Sequence, residues 1–185
     1  MKELQVYARS AAMEIPMWFY GGLMVVICFG CILLQHGKKE RDAIHSGAIL
    51  LMGGWILLVF SSTVLFRETG MDGEISLIPL SSYYNYAPNS YFIEKAAMNL
   101  LNVVLFIPLG FLLGCGYRNM NWRRIFVIGL SLSAVIEILQ FIFRKGLCET
   151  DDVIHNVLGC LMGYGLYVAF RIISIFLSLG NDCQQ

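Results

Sequence analysis

The sequence predicts an all-α, polytopic bundle of about five transmembrane helices, with an interfacial loop between the second and third spans. Its 185 residues are 57% hydrophobic and only 14% charged, and the mean hydropathy is +0.66. A soluble domain has about 45–50% apolar and about 25% charged residues. The apolar residues also fall into long blocks, and a hydrocarbon core needs about 20 helical residues. This composition argues strongly against a soluble enzyme.

Five apolar blocks have the length of a membrane span. The first contains no charged residue, amide or histidine, and the second is interrupted only by Ser61, Ser62 and Thr63. Helices are expected for all five, because every backbone polar group must be bonded internally in hydrocarbon. The predicted spans are 17–34, 48–66, 96–116, 125–143 and 153–179.

Two segments outside the spans have a mixed character. Residues 1–16 combine apolar and charged side chains, which is typical of a segment lying along the membrane interface. The loop 67–95 is rich in tyrosine and contains the apolar stretch 78–80. Because that stretch needs cover, we expect the loop to fold back on the membrane surface and cap the bundle.

Lysine and arginine predict the orientation, because cytoplasmic loops carry an excess of both. The loops after the first and third spans are short and densely basic, and with five spans they share a side with the C-terminus. The loop 67–95 is longer and has only two cations. We therefore expect the N-terminus outside and the C-terminus inside. The dense basic groups are Lys38, Lys39 and Arg41, and Arg118, Arg123 and Arg124.

Charge and cysteine content exclude other classes. Thirteen basic and thirteen acidic residues leave a net charge of zero, so no basic excess is available to attract nucleic acid. The six cysteines are scattered and do not form a zinc-ligand pattern. Glycines spaced by four residues allow close helix contact, and packing within one bundle is favoured over homodimerisation. These pairs are Gly110 and Gly114, and Gly159 and Gly163.

A carboxylate lies inside the fourth predicted span. A charged group in a membrane helix is costly and marks a paired or functional position. The spacing of Glu137, Gln140 and Arg144 predicts that they share one stripe of a helix. Asp152 and Asn156 share a face of the next helix by the same rule. A hairpin of these helices would gather acids, amides and a guanidinium at one membrane face.

Three interpretations of this cluster stay open at the level of sequence. In the first interpretation the cluster is a structural clasp between helices. In the second it is a headgroup site, in which cations meet a phosphate and acids hold sugar hydroxyls or a divalent ion. In the third interpretation Glu137 is an acid or base, and a divalent cation is held by Glu137, Asp151 and Asp152. The candidate catalytic residues are Glu137, Asp151 and Asp152, and the candidate headgroup ligands are Gln140, Arg144, Lys145, Glu149 and Asn156.

Three motifs carry a family resemblance. The run 102–113, N-V-V-L-F-I-P-L-G-F-L-L, resembles the N-x-x-x-F-x-P-L-G-F-L-L core of VanZ-like membrane proteins. The family's second pattern, E-x-x-Q followed by D-[VIL]-x-x-N-x-x-G-x-x-x-G, is similar to residues 137–140 and 152–163. Residues 77–80, L-I-P-L, are similar to the family segment N-L-I-P-F, from which this sequence departs at Ser76 and Leu80.

The resemblance implies a VanZ-like membrane domain over 17–180 in a multi-pass protein of the bacterial cell membrane. VanZ-like proteins are named for a member that lowers susceptibility to teicoplanin, a lipoglycopeptide antibiotic. Arg67 and Asn102 match family positions, and the resemblance adds them to the candidate headgroup ligands.

Two functions of different class follow. The first is a non-catalytic envelope protein whose partners are membrane lipids, and a lipid-linked cell-wall precursor or glycopeptide bound at the outer interface. The alternative is a membrane-embedded enzyme acting on a phospholipid or glycolipid headgroup through Glu137, Asp151 and Asp152.

Overall fold

Four long helices dominate the computed structural model, which describes residues 21–22, 25, 41–65, 75–80, 83, 90–145 and 148–182. All four are long and apolar enough to cross a membrane. The predicted all-α transmembrane bundle is therefore confirmed. The segment 1–16 and the predicted span 17–34 lie outside the described residues, except for Gly21, Gly22 and Val25. The helices are α1 (Arg41–Phe60), α2 (Ser90–Gly116), α3 (Trp122–Ile142) and α4 (Thr150–Asp182).

The helices begin earlier than the apolar blocks predict. α2 begins at Ser90 rather than 96, and α3 and α4 each begin three residues before the predicted spans. The added turns contain polar residues, which remain helical at a membrane surface although they do not belong to the hydrocarbon core. Asn121 caps α3, because its side chain accepts a hydrogen bond from the Arg124 backbone nitrogen at 3.0 Å.

α1 ends in a π-helical turn, Ser61–Leu65. The hydroxyls of this turn donate back to carbonyls one turn earlier, as Thr63 does to Val59 at 2.8 Å. A polar side chain in a span is satisfied in this way within its own helix. The three hydroxyl residues that interrupt the second apolar block are therefore compatible with a membrane helix.

The closest packing is between α2 and α4, which share the largest interface. A Cβ atom added at Gly159 would lie 2.2 Å from the Val103 carbonyl oxygen, and one at Gly163 would lie 1.9 Å from that of Ile107. Gly110 approaches the α4 backbone as closely. The predicted use of these glycines for packing within the bundle is confirmed.

The helices alternate in direction, so the bundle has two chemically different ends. Val103 faces Gly159 and Ile107 faces Gly163, so α2 and α4 run in parallel, and α1 and α3 run against them. The carboxylate end contains Glu137, Glu149, Asp151 and Asp152, and the opposite, arginine end contains Arg118, Arg123, Arg124 and Arg171.

The core of the bundle and much of its outer surface consist of apolar side chains. The core is centred on α2 and includes Phe106, Leu109 and Leu112. Large apolar side chains also cover the outside, which is the arrangement of a protein solvated by lipid. Among the most exposed are Leu50, Leu57, Leu100, Ile142 and Phe176.

A short segment of the predicted loop docks on the carboxylate end. Strand β1 (Ile75–Ser76) pairs in parallel with β2 (Cys148–Glu149), which connects α3 to α4. Leu77 and Ile78 nevertheless remain 72% and 67% exposed. The bundle therefore holds this segment through its backbone, and the side chains of Leu77 and Ile78 face outward.

Candidate functional site

α3 ends in a helix-capping turn that determines which candidate residues enter the site. The Lys145 nitrogen donates to the Gln140 carbonyl at 2.8 Å, and the Arg144 nitrogen donates to the Phe141 carbonyl at 3.2 Å. This is the Schellman pattern, which requires a left-handed residue after the cap. Arg144 has that conformation, with φ of 52°. The prediction that Arg144 continues the polar stripe of α3 is wrong, because the helix ends two residues before it and the side chain is exposed.

Buried polar side chains fill the interface between α3 and the start of α4. Glu137 is 3% exposed, and its Oε2 accepts a hydrogen bond from the Glu149 backbone nitrogen at 3.1 Å. Asn156 is 4% exposed, and its Nδ2 donates to Ser133 Oγ at 2.9 Å. The predicted proximity of the fourth-span carboxylate to the acids and amides of the next helix is thus observed.

Further polar contacts join this interface to the other helices. Gln140 Nε2 donates to the Thr63 carbonyl at 3.0 Å, in the π-helical turn of α1. Lys95 of α2 forms an ion pair with Glu149. Glu149 therefore contacts α3 through its backbone and α2 through its side chain.

A second polar group lies between α2, the start of α4 and the docked segment. The Asp151 carboxylate accepts a hydrogen bond from the Leu80 nitrogen. His155 Nδ1 lies 2.5 Å from the Asp151 carbonyl, and its Nε2 lies 2.9 Å from the Tyr83 hydroxyl. Because a carbonyl only accepts, Nδ1 carries the proton, and in the neutral ring Nε2 accepts from Tyr83. The Tyr83 oxygen in turn accepts from Asn99 Nδ2 at 3.4 Å.

Three buried amide oxygens in this region have no hydrogen-bond partner among the described residues. They belong to Asn99, Gln140 and Asn156, which are at most 4% exposed. In each case the amide nitrogen is bonded, so only acceptor atoms remain. Buried acceptors without donors are rare and costly. The cluster therefore has an excess of acceptors, which hydroxyl, ammonium or cationic groups would satisfy.

Cys148 provides a probe of the charge in this region. Burial raises the pKa of its thiol, and the carboxylates of Glu137 and Asp152 raise that pKa further. Both acids are thus close enough to act on β2 electrostatically. Asp152 itself is half-buried.

The described residues contain no group of three His, Cys, Asp or Glu side chains arranged to hold a metal ion. The acids proposed for a divalent cation are instead divided between two contacts. Glu137 accepts from the backbone of β2, and Asp151 accepts from the docked segment. The structure does not gather Glu137, Asp151 and Asp152 into one ligand set.

The remaining candidates occupy different environments. Asn102 is half-buried in α2, and Lys145 is half-buried after the capping turn of α3. Arg67 lies outside the described residues.

The sequence pattern did not mark four residues that the structure places among the buried polar contacts, namely Ser133, Asn99, Tyr83 and His155. Ser133 and Asn99 are polar interruptions of apolar spans, and this was the available signal. The Tyr83 contact depends on the path of the docked segment, which no local pattern encodes. His155 carried too little sequence context to be separated from an ordinary helix-start histidine.

The bundle and its buried cluster define a polytopic membrane protein with a polar candidate site at one end. A family model described as VanZ/LLP1 matches residues 47–173, which is more than half of the chain, and the chain belongs to this family. The chain is also similar to Protein VanZ of Enterococcus faecium, with 41% identity over 66 residues. That match covers 36% of this chain and 41% of the relative. The chain therefore spans less than half the length of that curated relative. No solved structure matches the chain.

Proposed function

We propose that this protein binds the headgroup of a lipid or of a lipid-linked cell-wall precursor at its carboxylate end. The observation that carries the proposal is the set of unpartnered, buried amide oxygens of Asn99, Gln140 and Asn156. They lie in the same region as the buried acids Glu137 and Asp151. Sugar hydroxyls or an ammonium group supply the donors that this acceptor-rich cluster requires.

A phosphate on the same ligand fits the two basic residues in the turn that follows α3. Arg144 is exposed and Lys145 is half-buried in the turn that follows α3. A guanidinium beside an ammonium is a favourable phosphate environment. Arg67 and Asn102, which match positions of the family pattern, remain candidates for the same ligand. The ligand reaches the buried oxygens when residues 75–80 and Tyr83 move aside, since Leu80 contacts Asp151 and Tyr83 contacts His155.

The proposed biological role is lowered susceptibility to teicoplanin-type lipoglycopeptides in the bacterial cell envelope. Its support is membership of the VanZ/LLP1 family and similarity to Protein VanZ of Enterococcus faecium. The carboxylate end then faces outward, because the arginine end has the basic density expected on the cytoplasmic side. A protein that holds the precursor at this face limits access of the antibiotic to it.

The test is Glu137→Gln, expressed at matched levels in cells challenged with teicoplanin. Glutamine retains an acceptor oxygen for the Glu149 nitrogen but loses the negative charge. We expect normal accumulation and a loss of protection. Ser131→Ala, an exposed position on the same helix, is the control and should protect like the wild type.

The same two variants are then purified and exposed to a bacterial lipid extract, and bound lipid is read by native mass spectrometry. Retention of a headgroup-bearing lipid by the wild type and the control, with loss in Glu137→Gln, supports the proposal. Full protection and full retention in Glu137→Gln would contradict it and reduce the cluster to a structural clasp.

An enzyme acting on the same headgroup is the second candidate function. The Tyr83–His155 hydrogen bond favours it, because a hydroxyl oriented by a histidine nitrogen can transfer a proton. An enzyme would change the mass of lipids in the extract when Mg²⁺ is supplied, and Tyr83→Phe would abolish that change. Retention of lipid without any conversion contradicts the enzymatic function and leaves the binding function.

A further inference from the structure

A cavity of about 350 Å³ opens at the arginine end, at the opposite end of the bundle from the polar cluster. It lies between the turn that follows α2 and the second half of α4. Two guanidinium groups line it, those of Arg118 and Arg171, together with three tyrosines. Neither the family resemblance nor the candidate site at the carboxylate end accounts for this cavity.

The two chain segments that line the cavity are rich in arginine. Residues 117–124 and 164–176, which contribute its lining, contain four arginines and no acid. Arg171 is hydrogen-bonded to Tyr167, one turn before it on α4. Arg118 Nε donates to His45 Nε2 at 3.3 Å. These two contacts help to orient the guanidinium groups that line the cavity.

Two tyrosines connect the cavity wall to the rest of the bundle. The Tyr164 hydroxyl donates to the Met120 carbonyl at 3.0 Å, which ties α4 to the turn before α3. Tyr167 packs beside Tyr164 with a centroid distance of 6.0 Å, and its ring fills the space above Gly114. The cavity is consequently bounded by side chains that pack against other parts of the bundle.

The position and the walls of the cavity indicate a lipid. Arg171 lies 20 residues beyond Asp151 on one continuous helix, which corresponds to a rise of about 30 Å, the thickness of the hydrocarbon core. The guanidinium groups therefore lie at the membrane face opposite the carboxylate end. Val168 and Ile172 provide apolar walls next to them, and Ile172 is 49% exposed. A free phosphate has no apolar surface to pack against these walls, whereas an acyl chain does.

We propose that this cavity binds an anionic phospholipid, with its phosphate between Arg118 and Arg171 and an acyl chain along Val168 and Ile172. Arginine binds phosphate oxygens through two parallel N–H donors. Basic pockets at helix ends are suited to the headgroups of anionic lipids. The bound lipid joins the turn after α2 to α4, and it does so at a site separate from the carboxylate end.

The test uses the purified full chain in nanodiscs that contain equal amounts of dioleoylphosphatidylglycerol and dioleoylphosphatidylcholine. Lipid retained on release is measured by native mass spectrometry. We expect the wild type to retain phosphatidylglycerol in preference to phosphatidylcholine. In Arg171→Gln the ratio of the two lipids should fall about tenfold, because a charge-assisted hydrogen bond to phosphate is lost. Arg171→Lys should restore part of the preference.

Arg123→Gln is the matched control, since it removes the same charge at the same end but stacks on Trp122 and does not line the cavity. It should retain the wild-type ratio. If Arg171→Gln does not accumulate, Val168→Trp fills the cavity without a change of charge and should also lower phosphatidylglycerol retention.

Three results would overturn the proposal. The first is equal retention of the two lipids by the wild type, and the second is an equal loss of preference in Arg123→Gln and Arg171→Gln. The third is displacement of the retained lipid by inorganic phosphate at the lipid's own concentration, which would indicate an anion site and not a lipid site.

Discussion

Glu137 illustrates how a charged side chain is accommodated between membrane helices. Its carboxylate accepts a hydrogen bond from a backbone N–H of β2. One turn earlier on the same helix, the Ser133 hydroxyl accepts a hydrogen bond from Asn156. The cost of placing this group in a span made its importance predictable from sequence. Its partner was not predictable, because a backbone nitrogen in a connecting strand leaves no trace in the residue pattern.

The Cys148 thiol should react slowly with N-ethylmaleimide near pH 8. Its pKa is raised by burial and by two carboxylates, so less thiolate is present at that pH than in an ordinary cysteine. Glu137→Gln and Asp152→Asn each remove a negative charge, lower the thiol pKa and should move the labelling profile to lower pH. The measurement is the labelling rate from pH 7 to 10 in a chain whose other cysteines are serine. A profile that is unchanged in both variants would place these acids too far from Cys148 to act on it.

Asp151→Ala should loosen the segment that crosses the carboxylate end. The variant leaves the Leu80 N–H without its acceptor, at a cost of about 1 kcal/mol. Hydrogen exchange at residues 76–80 should accelerate about fivefold, while exchange in α2 stays unchanged. Asp151→Asn retains an acceptor oxygen and serves as the control, with exchange close to that of the wild type. Unchanged exchange in Asp151→Ala would mean that β1 and Tyr83 hold the segment without this bond.

At the scale of elements, the sequence predicted the helix crossings better than it predicted the helix ends. The four apolar stretches were correctly identified as helices, but their polar first turns were missed because hydropathy detects only the part in hydrocarbon. The continuation of the α3 stripe to Arg144 was wrong, since this non-glycine residue adopts the left-handed conformation that closes the capping turn. The glycine pairs did predict a close crossing.

Gly163→Leu should prevent correct assembly of α2 with α4. Even the first carbon of the side chain would lie 1.9 Å from the Ile107 carbonyl oxygen, and backbone atoms cannot yield as a flexible side chain does. Gly165→Leu is the matched control on the same helix, because Gly165 is exposed and a Cβ there meets nothing within 4 Å. The readout is accumulation and monodispersity in mild detergent, with loss expected for Gly163→Leu only. Equal behaviour of the two variants would argue against the α2–α4 crossing.

At the scale of the whole molecule, the bundle separates acids and amides at one end from arginines at the other. The two ends follow from the alternating helix directions, since the carboxylate end collects the last turns of α1 and α3 and the first turns of α2 and α4. The proposed headgroup site and the proposed phospholipid cavity therefore face opposite leaflets. Because the two ends differ chemically, the orientation of the protein determines which proposed site faces which side of the membrane.

Cysteine labelling in intact cells tests the orientation. In a cysteine-free background, Leu77→Cys at the carboxylate end should react with a membrane-impermeant maleimide from outside, because its side chain is 72% exposed. Asn119→Cys at the arginine end is also exposed and should react only after permeabilisation. The reverse pattern would place the carboxylate end in the cytoplasm and would rule out a role in holding an extracytoplasmic precursor.

The sequence by itself determined the class of this protein, its helices and the family to which it belongs. Those properties reside in hydropathy and in local spacing, which act within one element and do not depend on its neighbours. The tertiary structure decided which polar atoms form hydrogen bonds. Gln140 binds a carbonyl of the π-helical turn, Glu137 binds a backbone nitrogen of β2, and His155 binds the Tyr83 hydroxyl. It also left three amide oxygens without donors and opened a cavity between Arg118 and Arg171. Each of these depends on residues far apart in the chain, because hydrogen bonds and cavities are determined by positions in space rather than by sequence order.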